Sequence, residues 1–339
     1  MKAAVFHGVR DISIDDIQVP ELNEYDVLVK VKACGVCGTD LHIYEGAKGA
    51  ADCVPPTVLG HEFSGIVERV GAKVTEFSPG DRVTVDPNNV CGECRYCLSG
   101  KAHFCRHMIG TGTTADGGFA EYCRVHRRQL TKIGDHLSFE EGAMAEPVSC
   151  CLHGLDLTGV QTGDDVLIIG GGTIGQIMLR LCMAAGASRV AVLEPIARKR
   201  ELALKSGAFL AENPLAEDSD SKLLKAFPYK FDRVIECVGS KATMENAIRF
   251  AGIASTVMLF GLTSPESTIE VYPYTIFQRE ITLRSSYINP YTIGRAVSLL
   301  NSGKLTVRDL ITDVISLKDC LMIFTDASYR AQGKIMVRP

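Results

Sequence analysis

Val166-Leu167-Ile168-Ile169-Gly170-Gly171-Gly172-Thr173-Ile174-Gly175 runs four consecutive apolar residues straight into a G-x-G-x-x-G turn. A short apolar run bounded by glycine reads as a strand buried on both faces. Beyond Gly175 the residues Ile177-Met178-Leu179-Arg180-Leu181 continue as a helix to about Ala185, and Arg189-Val190-Ala191-Val192-Leu193 reads as the next strand. Strand, glycine turn, helix and strand make a β-α-β unit. In that unit Gly170 allows the tight turn, and Gly172 lets backbone approach a pyrophosphate at the helix N-terminus. Gly175 lets the helix pack closely on the strand, with Thr173 and Ile174 opening the first helical turn. Glycine is common here, at 32 residues, so the surrounding strands and helix are what give the match its weight. Glu194 ends the second strand, nineteen residues after Gly175. A carboxylate there accepts from both ribose hydroxyls and repels a 2′-phosphate, which points to NAD. Arg198 and Lys199 follow within about a turn and could neutralise such a phosphate, so NADP stays open.

Further strands are expected at 233–237, 255–260 and 281–284, with helices near 197–206, 241–251 and 292–302; the acidic, Ser-containing 212–221 reads as a surface loop. The outcome is a doubly wound parallel sheet. The first 150 residues differ: short alternating stretches such as Asp26–Lys32 and Phe63–Val70, broken by Gly and Pro, suggest a β-barrel-like unit. The tail ending Gly333-Lys334-Ile335-Met336-Val337-Arg338 returns to that texture and is expected to complete the first domain. The chain has neither repeats nor low-complexity segments.

Thirteen cysteines are many for a chain of 339 residues. Cys91, Cys94, Cys97 and Cys105 lie within fifteen residues, a spacing that closes a tetrahedral shell of four sulfurs. Zinc fits that shell better than an iron–sulfur cluster, because no second cysteine set and no Pro after the last one is present. Four protein ligands leave no open position, so this ion would be structural. Cys34, Cys53, Cys123, Cys150, Cys151, Cys182, Cys237 and Cys320 read as core thiols.

Cys37 and His61 stand apart, in Cys37-Gly38-Thr39-Asp40-Leu41-His42 and Gly60-His61-Glu62-Phe63-Ser64-Gly65. Glu62 and Glu146, the latter in Ala145-Glu146-Pro147, offer a third ligand of the kind a catalytic zinc uses, and the spacing does not choose between them. Thr39 and His42 supply a hydroxyl backed by an imidazole that titrates near neutrality, a path by which a substrate hydroxyl loses its proton before hydride leaves.

Composition narrows the remaining classes. With 36 Lys and Arg against 40 Asp and Glu, the net charge is −4, and no run of like charge favours nucleic acid or a membrane surface. Apolar residues make up 46%, enough for two packed cores. No apolar run approaches the ~18 residues that span a bilayer, and the opening MKAAVFHGVR lacks a signal-peptide core, so a cytoplasmic protein is expected.

Taken in order, Cys37-Gly38-Thr39-Asp40, the G-H-E-x-x-G of Gly60 to Gly65, the four-cysteine lobe and the later glycine turn resemble the zinc-dependent medium-chain alcohol dehydrogenases over essentially the whole chain. Ala145-Glu146-Pro147-Val148-Ser149 and Leu193-Glu194-Pro195 resemble the sorbitol (polyol) and threonine dehydrogenase branch. The resemblance implies a GroES-like catalytic domain over 1–155, with its zinc lobe at about 87–110, completed by 290–339. A Rossmann domain over 156–289 is inserted in it, with the active site in the cleft between. It implies Cys37, His61 and either Glu62 or Glu146 on a catalytic zinc, Thr39 and His42 as proton relay, and a second, structural zinc on the four cysteines. Cys237, Val238, Gly261, Ser285 and Ser286 would frame the nicotinamide half of NAD. The reaction implied is hydride transfer from a secondary alcohol, a polyol first and threonine or a small diol next, to give a ketone. Where animal sorbitol dehydrogenases carry a polyol-contacting arginine, this chain has Ile288. A homodimer or homotetramer built through the Rossmann segment 270–285 is expected. Two other classes compete: a zinc-free quinone reductase, which lacks the zinc ligands present here, and a non-catalytic NAD- or zinc-binding protein, which needs no relay.

Overall fold

The computed structural model describes residues 1–47, 52–326 and 333–339, and these divide into two compact units, Met1–Ser149 with Asn289–Pro339, and Cys150–Ile288. In the first unit the strands are β1 (Lys2–Gly8), β2 (Asp11–Asp16), β3 (Asp26–Gly35), β4 (Thr57–Val58), β5 (Glu62–Val70), β6 (Arg82–Val85), β7 (Asn88–Asn89), β8 (Ile109–Gly110), β9 (Tyr122–His126) and β10 (Leu130–Lys132). The second unit holds β11 (Asp165–Ile169), β12 (Arg189–Leu193), β13 (Leu210–Glu212), β14 (Phe231–Glu236), β15 (Ala251–Leu259) and β16 (Thr282–Ser285). The chain then returns to the first unit with β17 (Ile311–Ser316) and β18 (Lys334–Arg338).

The main sheet of the first unit runs β10-β6-β5-β3-β18-β17, with β9 also paired to β3. Strand β3 is its spine. Val27, Val29 and Val31 point to one face and are buried with Val67, Val83, Val85 and Val125, the alternation that a half-buried strand requires. The tail joins this sheet because β18 pairs antiparallel with β3, Met336 opposite Gly35 and Val337 opposite Cys34. Strands β7 and β8 pair at the base of the segment that carries the four clustered cysteines.

The second unit is a parallel sheet in the order β13-β12-β11-β14-β15-β16. That is the doubly wound 3-2-1-4-5-6 order, in which ligands bind outside the carboxyl ends of the strands where the order reverses. Helix Thr173–Ala184 buries Ile177, Met178, Leu181 and Cys182 against it. One segment departs from the sequence expectation. The stretch 212–221 ends strand β13 and starts helix Ser219–Ala226, which buries Leu223 beneath Phe227 and Phe231. A short, charged helix with one deep apolar anchor gives little periodicity to read. Segment 270–285 likewise opens with a helix, Pro273–Arg279, before β16.

Candidate metal centres and dinucleotide site

Two groups of metal-ligating side chains come together, both in the first unit. Cys91, Cys94, Cys97 and Cys105 place their sulfurs within 4.8 Å of one another. The separations Cys94–Cys97, Cys91–Cys105 and Cys91–Cys97 are 3.6, 3.5 and 3.9 Å. A tetrahedral four-sulfur shell with metal–sulfur bonds of ~2.3 Å needs sulfurs about 3.8 Å apart, so the cage fits zinc. Backbone N–H groups of Cys94 and Cys91 donate to Cys91 and Cys105 Sγ at 3.4 Å, as does His107 N–H to Cys105. Such donors favour thiolates, and backbone N–H groups around Cys94 hold its thiol down at about 6.

The second group is Cys37, His61 and Glu62, again within 4.8 Å. Cys37 closes the N-terminus of helix Gly38–Tyr44, and His61 and Glu62 enter β5 where it pairs with the end of β3, Glu62 opposite Gly35. Asp40 explains how they are held. It is fully buried, its Oδ2 accepts the Cys37 N–H at 2.9 Å, and its Oδ1 stands 3.4 Å from His61 Nδ1. Burial works against a charged His61 ring, but Asp40 and Cys37 outweigh it and raise the imidazole well above its ordinary range. His61 Nδ1 and Asp40 Oδ1 face each other as an ion pair, and among the described residues neither has a further partner in hydrogen-bond geometry. A half-buried sulfur converging with a buried imidazole and carboxylate is the donor set of an open zinc site.

Glu146 is buried in the first turn of helix Ala145–Thr158 and lies outside that group of three. Thr39 sits beside the site, its Oγ1 3.7 Å from Cys37 Sγ, and His42 follows one turn along the same helix, half-buried. Sequence reasoning missed two residues here. Asp40 lay inside a quoted motif without a role, and Lys334, which pairs with Glu62, lies at the far end of the chain.

In the second unit the remaining candidates gather at one edge of the sheet. The glycine turn follows β11, Glu194 follows β12, Cys237 and Val238 follow β14, Gly261 lies two residues past β15, and Ser285 and Ser286 end and follow β16. Gly170 takes φ 99°, and a Cβ on Gly175 would sit 1.8 Å from the Gly170 carbonyl oxygen. Gly172 caps the helix with open space where its Cβ would be. Glu194 is buried, its Oε2 accepting the Gly171 N–H at 2.8 Å and its Oε1 the Ile196 N–H at 2.9 Å. It therefore braces the turn, which the sequence did not reveal. Arg198 is exposed on the following helix, and Arg200 donates to the Glu194 and Pro195 carbonyls. Ser286 Oγ has no partner among the described residues.

The alcohol dehydrogenase GroES-like domain profile matches residues 23–135, and that of the zinc-binding dehydrogenases matches 173–302. The chain belongs to the zinc-binding medium-chain alcohol dehydrogenase family. It is 32% identical to D-arabinitol dehydrogenase 1 of Uromyces fabae, over 100% of this chain and 97% of that one. It is 33% identical to a sorbitol dehydrogenase of Bacillus subtilis, over 100% and 97%. A crystal structure of a putative zinc-binding dehydrogenase from Sinorhizobium meliloti, bound to NADP, is 37% identical and superposes with a TM-score of 0.95, covering 100% of this chain and 99% of that one. Among the described residues no helix is long and apolar enough to cross a membrane.

Proposed function

We propose that this dehydrogenase oxidises a secondary alcohol of the polyol class to a ketone, passing hydride to NAD and releasing a proton. The observation that carries the reading is the convergence of Cys37, His61 and Glu62 in a chain that also carries the Gly170–Gly175 turn. Among the described residues the four-cysteine cage offers four ligand atoms and this group three, so an ion held here would leave room for a substrate oxygen. Zinc at that position supplies a Lewis acid that makes a hydroxyl more acidic.

This chain's own residues do the rest. Cys37, His61 and one of Glu62 or Glu146 would hold the ion, and Asp40 fixes the His61 ring. Thr39 accepts the substrate hydroxyl proton as it gives up its own toward His42, whose imidazole releases a proton to solvent. Gly172 and the helix N-terminus receive the pyrophosphate, and Glu194 meets the adenosine ribose. Cys237, Val238, Gly261, Ser285 and Ser286 border the nicotinamide. Cys91, Cys94, Cys97 and Cys105 hold a structural zinc. Polyols lead because the relatives at 32% and 33% identity carry arabinitol and sorbitol in their names.

The chain also forms a homo-oligomer in this reading. Strand β16 is exposed along all four residues and pairs with β15 alone among the described strands; the segment that precedes it carries exposed Tyr272, Tyr274 and Phe277. An open sheet edge of this kind, preceded by exposed aromatic rings, fits a second copy related by a two-fold axis.

The test is nicotinamide reduction with NAD and NADP in parallel across sorbitol, xylitol, ribitol, the arabitols, galactitol, butanediol and threonine, before and after chelation and zinc replacement. Zinc-dependent NAD reduction with a polyol is expected. Turnover that survives complete zinc removal, or none on any polyol by protein that binds NADH, overturns the reading.

A further inference from the structure

The carboxylate beside His61 is held by a cation from the last seven residues of the chain. Lys334 opens β18, and the pairing of Met336 with Gly35 sets its side chain against Gly35-Val36-Cys37. It is 5% exposed, its Nζ donates to the Val36 carbonyl at 2.9 Å, and it forms an ion pair with Glu62 Oε2. Gly35 makes the room. A Cβ there would fall 2.3 Å from Glu62 Oε2 and 2.8 Å from Lys334 Cε, so a side chain at 35 and this pair exclude each other. Burial penalises the ammonium, but Glu62 first, then Cys37 and Glu146, more than offset it. A buried lysine is retained at such cost where its charge is matched, and here it is matched by the anionic side chains that would face a dication.

We infer that Lys334 is a positioning residue of the metal centre, which grips one oxygen of Glu62 and competes with the divalent cation for that carboxylate. The inference rests on the reading of Cys37 and His61 as ligands. It also gives Glu62 and Glu146 different standing, since Glu62 engages the metal against the pull of Lys334. Removing the ammonium frees Glu62 and removes a like charge near the ion, and both effects tighten metal binding.

The experiment measures zinc affinity by chelator competition and the absorption bands of the cobalt-substituted protein. The variants are Lys334→Met, Lys334→Arg, Glu62→Gln and the Lys334→Met/Glu62→Gln pair. Cys37→Ser serves as the blank that retains the four-cysteine site. Lys334→Met is expected to tighten zinc about tenfold and shift the cobalt bands. Lys334→Arg stays close to wild type, and with Glu62→Gln already present Lys334→Met leaves the bands where they are. Lys334→Gln, which keeps a donor for Val36, gives the same comparison should the Met variant fail to fold. Unchanged affinity and bands in the folded variant overturn the inference, as does an equal band shift in the Glu62→Gln background. Wild-type bands identical to those of Cys37→Ser overturn both the inference and the metal reading beneath it.

Discussion

Asp40 Oδ1 stands 3.4 Å from His61 Nδ1 while its other oxygen accepts the Cys37 N–H, so one buried carboxylate orients two residues that meet in the metal group. A second oxygen or nitrogen partner behind a histidine ligand fixes its ring and raises its basicity, and such partners carry about 10- to 100-fold in metal affinity. Asp40→Asn keeps the shape and loses the charge. It is expected to weaken zinc at this site by about that factor with the fold retained. Zinc content after dialysis against a weak chelator, alongside circular dichroism, checks it. Unaltered zinc retention would show that Asp40 serves only to cap its helix.

The two cysteine settings predict opposite phenotypes. Cys37→Ser removes a sulfur from the open site and is expected to cut turnover by about a thousandfold or more while leaving thermal stability near wild type. Cys97→Ser breaks a closed cage whose metal contributes folding energy directly, so its melting temperature falls. Differential scanning calorimetry paired with steady-state rates separates them. Full activity in Cys37→Ser would remove the catalytic-zinc assignment.

Glu194 braces its turn, and the proposed function gives it a ligand-facing duty as well. Both its oxygens are occupied by backbone N–H groups, from Gly171 and Ile196, so a truncation strips acceptors from two donors as well as charge from the proposed ribose site. An orphaned buried donor costs ~1–3 kcal/mol. Glu194→Ala is expected to lower stability by about that amount and to weaken NAD more than NADP, because the repulsion toward a 2′-phosphate goes with the carboxylate. Calorimetric binding of both dinucleotides checks the ratio. Equal losses would mean that Glu194 acts through the turn alone.

What the sequence disclosed and what it withheld divide along the range of the interaction. Gly170 and Gly175 were readable because the constraint is local, one turn at φ 99° and one Cβ that would collide with a carbonyl five residues back. The four-cysteine cage was readable for the same reason, its ligands lying on one short loop. Cys37 and His61 were nominated by their motifs, but their convergence depends on the pairing of β3 with β5. Lys334 had no local signature at all. A lysine near the end of an alternating strand reads as exposed, and only the register of β18 on β3 shows that it turns inward to Glu62. Helix Ser219–Ala226 was missed because Leu223 is its one deep anchor in a charged stretch.

The open edge of β16 makes the last prediction. All four residues of that strand are exposed, Leu283 at 37%, and Phe277 on the adjoining helix is 79% exposed. A monomer that left this edge bare would present unpaired backbone groups and several aromatic rings to other chains. Light scattering coupled to gel filtration is therefore expected to give a dimer or a multiple of one. Phe277→Asp with Leu283→Asp places like charges where a two-fold contact would close, and should shift the mass toward the monomer. Both substitutions lie in the unit Cys150–Ile288, so NADH binding and circular dichroism report whether that unit has kept its fold. A wild-type monomer at high concentration would leave the edge without a partner and sink the oligomer reading. A double variant that stays fully assembled would move the contact to another face.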